Sequence, residues 1–351
     1  MFSSAVFNPM AIKRKTLVIR ILLFVGTAIS LYFVPWSYLF AKLRPIEDTV
    51  QEQVAQALEI GLDNIIVYVD KAGEPPAYYA AGWHDPKAKI PAYPQAYFKI
   101  ASIAKLYDAV SIAKLVNNGK LSLDGTLAEY FPELADRIEY ADKITLRMMV
   151  GHTSGIPNYT DTPNYWVNPT ETYQETLNLI IGKPGDFVPG TDYYYSNTNY
   201  LLINKLVERV SGISRFDFIK TRILEPLNLS HTFESNSEVN LDSVMSGYHV
   251  GHPLDIKNEE QGIVATTEDV GIFLRALNDG SVFESGEQEI YSSIYAYDHT
   301  GLVPGYQTIA RYHADIDAVV IQVSGPSHFV GYNWQYSELI YSRIIKILKE
   351  E

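Results

Sequence analysis

Phe98-Lys-Ile-Ala-Ser-Ile-Ala-Lys-Leu106 is the stretch on which the reading of this chain turns. It sets Ser102 and Lys105 three residues apart, directly after a β-like run, Tyr97 to Ile100. A helix is expected from this point to Asn117, stopped by Gly119. On a helix this spacing stacks the two side chains on one face, about one turn apart. A serine hydroxyl is a weak nucleophile until a base takes its proton, and a lysine in a dry pocket can lose its charge and become that base. The stretch therefore carries a candidate activated serine.

The letters S-I-A-K-L recur at Ser111 to Leu115. Nine residues is about half a revolution round a helix, so the two copies cannot face one pocket. Ser102 is preferred because it lies at a strand-to-helix junction, where free backbone N–H groups and the helix dipole support a nucleophile and its oxyanion. Ser111, among Ala109, Val110, Ile112 and Leu115, reads as ordinary helix wall.

Composition narrows the classes. The chain has 351 residues, 47% hydrophobic, and no cysteine, which excludes a disulfide-stapled mini-domain, thiol catalysis and cysteine-ligated zinc. Residues 1 to 45 hold six of the 28 Lys and Arg and none of the 41 Asp and Glu, which leaves 22 against 41, a net −19, for the rest. So acidic a body repels phosphate backbones, and nucleic-acid binding is not expected.

Near the N-terminus Lys13, Arg14, Lys15 and Arg20 precede an uncharged, largely apolar run, Ile21 to Phe40. Twenty such residues span a bilayer as one helix, and Tyr32, Trp36 and Tyr38 fit an interfacial belt. The expectation is a cytoplasmic tail (1–20), an uncleaved anchor (21–40) and an exported body, because four basic residues precede the run and only Lys42 and Arg44 follow it. The alternative is export after cleavage of a signal peptide, although no A-x-A pattern ends the run.

From residue 45 the body begins. Ile46 to Ile60 has helical spacing, and Ile65–Val69 with Ala77–Ala81 reads as a strand pair. Helices are predicted at Tyr173–Ile181, Tyr200–Val210, Phe216–Ile223 and Glu268–Leu277, then strands at Ile294–Tyr297, Gln307–Tyr312 and Ala318–Val323. An amphipathic helix, Glu338–Leu348, closes the chain. Strands at both ends with helices between imply an α+β fold. Its antiparallel sheet is built from 45–100 and 290–351, is flanked by helices, and receives a mainly helical lobe of about 101–289.

Two further groups have the right chemistry. Tyr195-Ser-Asn197 lies in a loop before a helix, where residues two apart can project to one side. A tyrosine beside a lysine can shuttle protons, and an asparagine amide can hold both a substrate carbonyl and the lysine. His299-Thr-Gly301 follows a predicted strand. Its glycine admits a substrate backbone, an edge strand offers main-chain pairing, and the N–H of Leu302 can join that of Ser102 as oxyanion donor.

Taken in order, Ser-x-x-Lys, Tyr-x-Asn and His-Thr-Gly resemble the serine β-lactamase and penicillin-binding-protein superfamily, in its class C β-lactamase-like branch, which includes D-alanyl-D-alanine carboxypeptidases and many esterases. Leu115–Gly125, Ile144–Pro157, Gly212–Leu229 and Gly262–Val270 look like that branch's connecting segments. The resemblance implies Ser102 as acylated nucleophile, Lys105 as its base or relay partner and Tyr195 as acid/base toward the leaving group. It also implies that Asn197 holds the substrate amide, that His299, Thr300 and Gly301 align the substrate, and that His152 is structural.

One departure matters. Lactamases of this branch usually begin the third motif with lysine, whose fixed charge holds a β-lactam carboxylate; His299 carries none at pH 7 unless its surroundings raise its pKa. A dedicated lactamase is therefore disfavoured. The leading expectation is a membrane-anchored serine hydrolase acting through an acyl-enzyme on a peptide or ester carbonyl, with a D-Ala-D-Ala-type cell-wall peptide as one candidate. The alternatives are an esterase or amidase on small acyl compounds and a penicillin-binding sensor with little turnover. Neither a cofactor nor a metal is called for by this chemistry.

Overall fold

The computed structural model describes residues 9–250, 254–328 and 331–351. The expected tail, 1–20, falls partly outside them. Residues up to Pro45 form one compact unit and Ile46–Glu351 another.

The first unit is two helices, α1 (Pro9–Tyr32) and α2 (Trp36–Leu43), and it corrects the expected span. Ile21–Phe40 is not one helix: its axis bends by 70° between Tyr32 and Trp36. The cause is Pro35, which has no N–H to donate and bars Val34 from the helical region. Among the described residues no single helix is long and apolar enough to cross a membrane, although the bent pair passes that test when taken together.

In the second unit the chain begins with α3 (Val50–Glu59), then β1 (Asn64–Lys71), β2 (Ala77–Asp85), β3 (Ile90–Pro91) and β4 (Phe98–Lys99). The helices α4 (Ala104–Asn117), α5 (Leu127–Tyr130), α6 (Leu146–Val150), α7 (Tyr173–Asn178), α8 (Asn197–Ser211) and α9 (Arg215–Ile219) follow. Next come β5 (Thr232–Phe233), β6 (Val264–Ala265), α10 (Thr267–Asp279) and α11 (Glu287–Ser292), and finally β7 (His299–Val303), β8 (Tyr306–His313), β9 (Ala318–Gly325) and α12 (Asn333–Glu350).

Six strands form one antiparallel sheet in the order β3-β2-β1-β9-β8-β7. The two chain ends meet at its centre, where β1 pairs with β9 from Asn64↔Gly325 to Lys71↔Ala318. Both strands are apolar runs buried on both faces, as central strands covered by helices must be. On one face α12 lies against α3, joined by Arg343 Nη1 donating to Gln56 Oε1 at 2.6 Å. On the other face α10 rests on β1, and Gly271 is required there because a Cβ would run into the Tyr68 ring. Thus α10, inside the stretch read as the helical lobe, belongs spatially to the sheet.

The strand expected at Tyr97–Ile100 forms as β4 but joins a small second sheet, β4-β6-β5, and not the main one; β5 and β6 are two residues each, too short for a periodic signal. From Lys105 to Leu115 every residue of α4 is buried, and the Tyr107 ring stacks on Phe273 of α10 at 3.6 Å. The helix that carries Lys105 and follows the Ser102 turn is thereby clamped between the sheet layer and the lobe.

Residues 294–297 are not a strand. Ile294 and Tyr295 donate backbone N–H groups to Tyr291 O, continuing a turn after α11. The alternation Ile-Tyr-Ala-Tyr mimics a strand, but the rings pack on one another and on His299 (Tyr291–Tyr297 5.0 Å, Tyr295–His299 5.9 Å). The ladder starts at His299, so the His-Thr-Gly motif lies within the strand and does not follow one.

Candidate active site

Ser102 sits in a 3-10 turn, Ala101–Ile103, between β4 and α4. Ala101 has φ of 53°, a left-handed conformation that costs a non-glycine residue on the order of 1 kcal/mol. This kink lifts Ser102 out of the helix axis while Lys105 stays on the first turn of α4. The Lys105 Nζ lies 3.2 Å from Ser102 Oγ and 2.9 Å from Asn197 Oδ1. The Tyr195 hydroxyl donates to Ser102 Oγ at 2.8 Å. Residues 93 apart along the chain thus share one hydroxyl.

The Tyr195 loop is held by backbone pairing to the segment after α6: Gly190 N donates to Thr153 O (2.8 Å) and Tyr194 N to His152 O (3.1 Å). His152 stacks on the Tyr195 ring at 4.4 Å, and its Nδ1 accepts the Ser196 N–H at 3.2 Å. These contacts pack the Tyr195 ring and fix the loop behind it. Asn197 opens α8; its Nδ2 donates to Thr160 Oγ1 at 3.2 Å, which aims Oδ1 at the lysine. Asn158 Oδ1 accepts the Asn197 N–H at 3.0 Å; neither Thr160 nor Asn158 was foreseen in this role, since an isolated Asn-x-Thr in a loop has no distinguishing pattern.

Strand β7 is an edge strand, paired only with β8 among the described residues. The two-residue turn Pro304-Gly305 closes the hairpin on Val303↔Tyr306. Alternation from that pair turns the N–H and C=O of Thr300 and Leu302 to the open edge. Gly301 is where this strand meets the Ser102 turn, for a Cβ there would lie 2.7 Å from Ile100 O and 3.2 Å from Ala101 Cβ. His299 Nδ1 donates to Thr300 O at 2.5 Å, so Nε2 is the unprotonated nitrogen and accepts from Tyr295 OH at 2.9 Å. Tyr295 was missed because its segment was read as a strand. A cavity of about 570 Å³ opens on this side, lined by Tyr195, Tyr295, His299, Thr300 and Arg311. Asp298 also lines this cavity and pairs there with Arg311 at 3.8 Å.

The electrostatics follow from burial. Lys105 is 7% exposed, and desolvation pulls its pKa down to about 7. Its Nζ also sits 5.1 Å and 5.2 Å from the centres of the Tyr195 and Tyr200 rings. Burial raises Tyr195 to about 12, partly offset by its bond to Ser102. His299 is lowered to about 4, again by burial first, so it is neutral across the physiological range.

The second S-I-A-K-L copy is structural. Ser111 Oγ donates back to Tyr107 O at 2.8 Å, and Lys114 forms a buried ion pair with Glu287 at 2.7 Å.

Comparison with known proteins agrees in kind. The Beta-lactamase family profile matches residues 46–300. Penicillin-binding protein 4* of Bacillus subtilis (strain 168) is 25% identical over 242 residues, which cover 67% of this chain and 51% of that protein. Protein flp of Staphylococcus aureus (strain MRSA252) is 28% identical over 160 residues, 44% of this chain and 32% of that one. The chain therefore spans about half the length, or less, of these two curated relatives. Among solved structures, D-amino acid amidase from Ochrobactrum anthropi SV3 with D-phenylalanine superposes with a TM-score of 0.76 at 20% identity over 86% of this chain and 98% of that one. A class C beta lactamase superposes with 0.66 at 17% identity over 86% and 98%. At these identities the likeness is one of fold.

Proposed function

The chain belongs to the Beta-lactamase family, and on that footing we propose that it is a serine hydrolase working through an acyl-enzyme on Ser102. One observation carries the reading: the Ser102 hydroxyl lies within hydrogen-bond reach of a buried lysine at 3.2 Å and a half-buried tyrosine at 2.8 Å. Neutral Lys105 accepts the Ser102 proton as Oγ attacks a carbonyl carbon. The oxyanion rests on the N–H groups of Ser102 and Leu302. As the bond to the leaving group breaks, the Tyr195 hydroxyl supplies its proton and is resupplied from Lys105. Water then reverses the sequence and frees the acid. Asn197 orients the lysine and the substrate amide, and His299, Thr300 and Gly301 align the substrate along the open edge of β7.

The substrate is a peptide or ester carbonyl, with a D-Ala-D-Ala-type peptide as one candidate. A second reading, an esterase or amidase on small uncharged acyl compounds, is favoured by His299. Held neutral, it offers no fixed charge for a substrate carboxylate. We read the bent pair α1–α2 as attaching the chain to a membrane with the catalytic unit exported, supported by its exposed apolar side chains from Leu17 to Leu31 and by length and composition.

Intact-mass spectrometry after incubation with p-nitrophenyl esters, a D-Ala-D-Ala peptide and penicillin tests the reading. An adduct is expected that Ser102→Ala abolishes and Ser111→Ala retains. An adduct surviving Ser102→Ala, or no adduct with any of the three, overturns it. Turnover of esters alone selects the second reading, and a lasting penicillin adduct without turnover selects a sensor.

A further inference from the structure

Lys105 has an obvious partner that it does not use. Asp108 lies three residues on along α4, the spacing at which a lysine and an aspartate normally pair, and it is 2% exposed. Lys105 turns instead to Ser102 and Asn197. Asp108 is occupied from the other side: Arg215 Nε donates to Oδ1 at 2.6 Å and Nη2 to Oδ2 at 2.9 Å, a two-pronged grip that engages both carboxylate oxygens. Arg215 is the first residue of α9, whose start is fixed by Ser214 Oγ accepting the Asp217 N–H at 2.9 Å. Lys105, Asp108, Asn197 and Arg215 line one cavity of about 290 Å³.

We propose that Arg215 is a positioning residue for the acyl-transfer chemistry, holding Asp108 so that Lys105 faces Ser102 as a neutral amine instead of pairing with the carboxylate one turn below. The other groups around Lys105 do not substitute for this control. Tyr195 and Tyr200 present rings, while His152 and His299 are held neutral by burial, at about 3 and about 4. Lys99 of β4, on the same cavity, donates to Gln261 O at 2.7 Å. Of the charges acting on Lys105, Asp108 favours the ammonium and Arg215 opposes it.

What Lys105 does with its lone pair rests on the hydrolase reading; its ionisation does not. The test therefore has two readouts on the full chain: the pH midpoint of the p-nitrophenyl acetate burst, and the titration of Lys105 by NMR of 13Cε-labelled lysine, assigned with a Lys105→Met variant. Arg215→Met should move both midpoints up by about one pH unit or more, because a buried, unpaired carboxylate stabilises the ammonium. Asp108→Asn should move them down, and the double variant should return close to the parent. If Arg215→Met does not fold, the other two variants, which bury no unpaired carboxylate, still decide. Loss of rate at every pH with unmoved midpoints marks a merely structural pair and overturns the inference. A shifted NMR titration with no burst in any form sinks the hydrolase reading and leaves this one standing.

Discussion

Replacing Gly301 with alanine tests the site where it is tightest. The added Cβ would lie 2.7 Å from Ile100 O, whereas ordinary contact begins at 3.4 Å, so strand and turn must separate by about 0.7 Å, the difference of the two. The carbonyl cannot swing aside, because Ile103 N donates to it at 3.2 Å and Ile100 N is itself tied to Ile263 O at 3.1 Å. The edge strand β7 must therefore retreat and take the Leu302 N–H away from the Ser102 turn. Misplacement on the order of 1 Å costs an oriented reaction about 100-fold, or about 2.7 kcal/mol of barrier. Overpacking itself destabilises by about 1–3 kcal/mol, so the variant should fold with a modestly lower Tm. The assay is kcat/KM for p-nitrophenyl butyrate beside the labelling rate by a fluorescent penicillin. Leu302→Ala, which keeps the N–H, serves as the control and should lose far less. If Gly301→Ala stays within about threefold of the parent rate, β7 does not supply the oxyanion donor and the assignment of Leu302 falls.

Other outcomes follow from the same geometry. Acylation should rise with pH through about 7, as Lys105 becomes neutral, and show no limb from His299 above pH 5 or from Tyr195 below pH 11, their values being about 4 and about 12; a bell centred on neutral pH would contradict this. The lowered Lys105 value also carries a stability sign. Between pH 7 and 10.5 the unfolded chain binds the proton that the folded chain lacks, so stability should rise with pH across that window. Lys105→Met should flatten that part of a plot of urea midpoint against pH. Lys114→Met, which strands a buried Glu287, should destabilise by about 3–5 kcal/mol in urea unfolding without abolishing penicillin labelling in folded protein. His299→Lys should raise the labelling rate with anionic penicillin relative to a neutral ester by roughly tenfold, the effect of about one well-placed charge, and an unchanged ratio would refute the charge argument.

Much of the architecture is legible in local pattern. β1 and β9 are apolar runs too short for helices, β8 is a short segment set off by turns, and α8, α10 and α12 have amphipathic spacing, so each is found within a few residues of its expected place. The failures share a cause. Ile294–Tyr297 alternates like a strand, yet its rings are spent on Tyr291 and His299, and among the described residues no strand pairs with it. The Ile21–Phe40 run is apolar enough to span, but one proline outweighs composition at the level of the backbone.

Ser102 and Lys105 are nameable from spacing and residue chemistry, and Tyr195, Asn197 and the His299–Leu302 strand become so once the order of the three motifs is set beside the family they resemble, because a hydroxyl, an amine and a phenol are properties of side chains. How far Lys105 loses its charge and that Arg215 occupies Asp108 are not properties of side chains. They depend on how much water each group loses and which partner reaches it first. Those quantities are set only when α4 is packed between α10 and the lobe, and when segments nearly a hundred residues or more apart close on one oxygen atom.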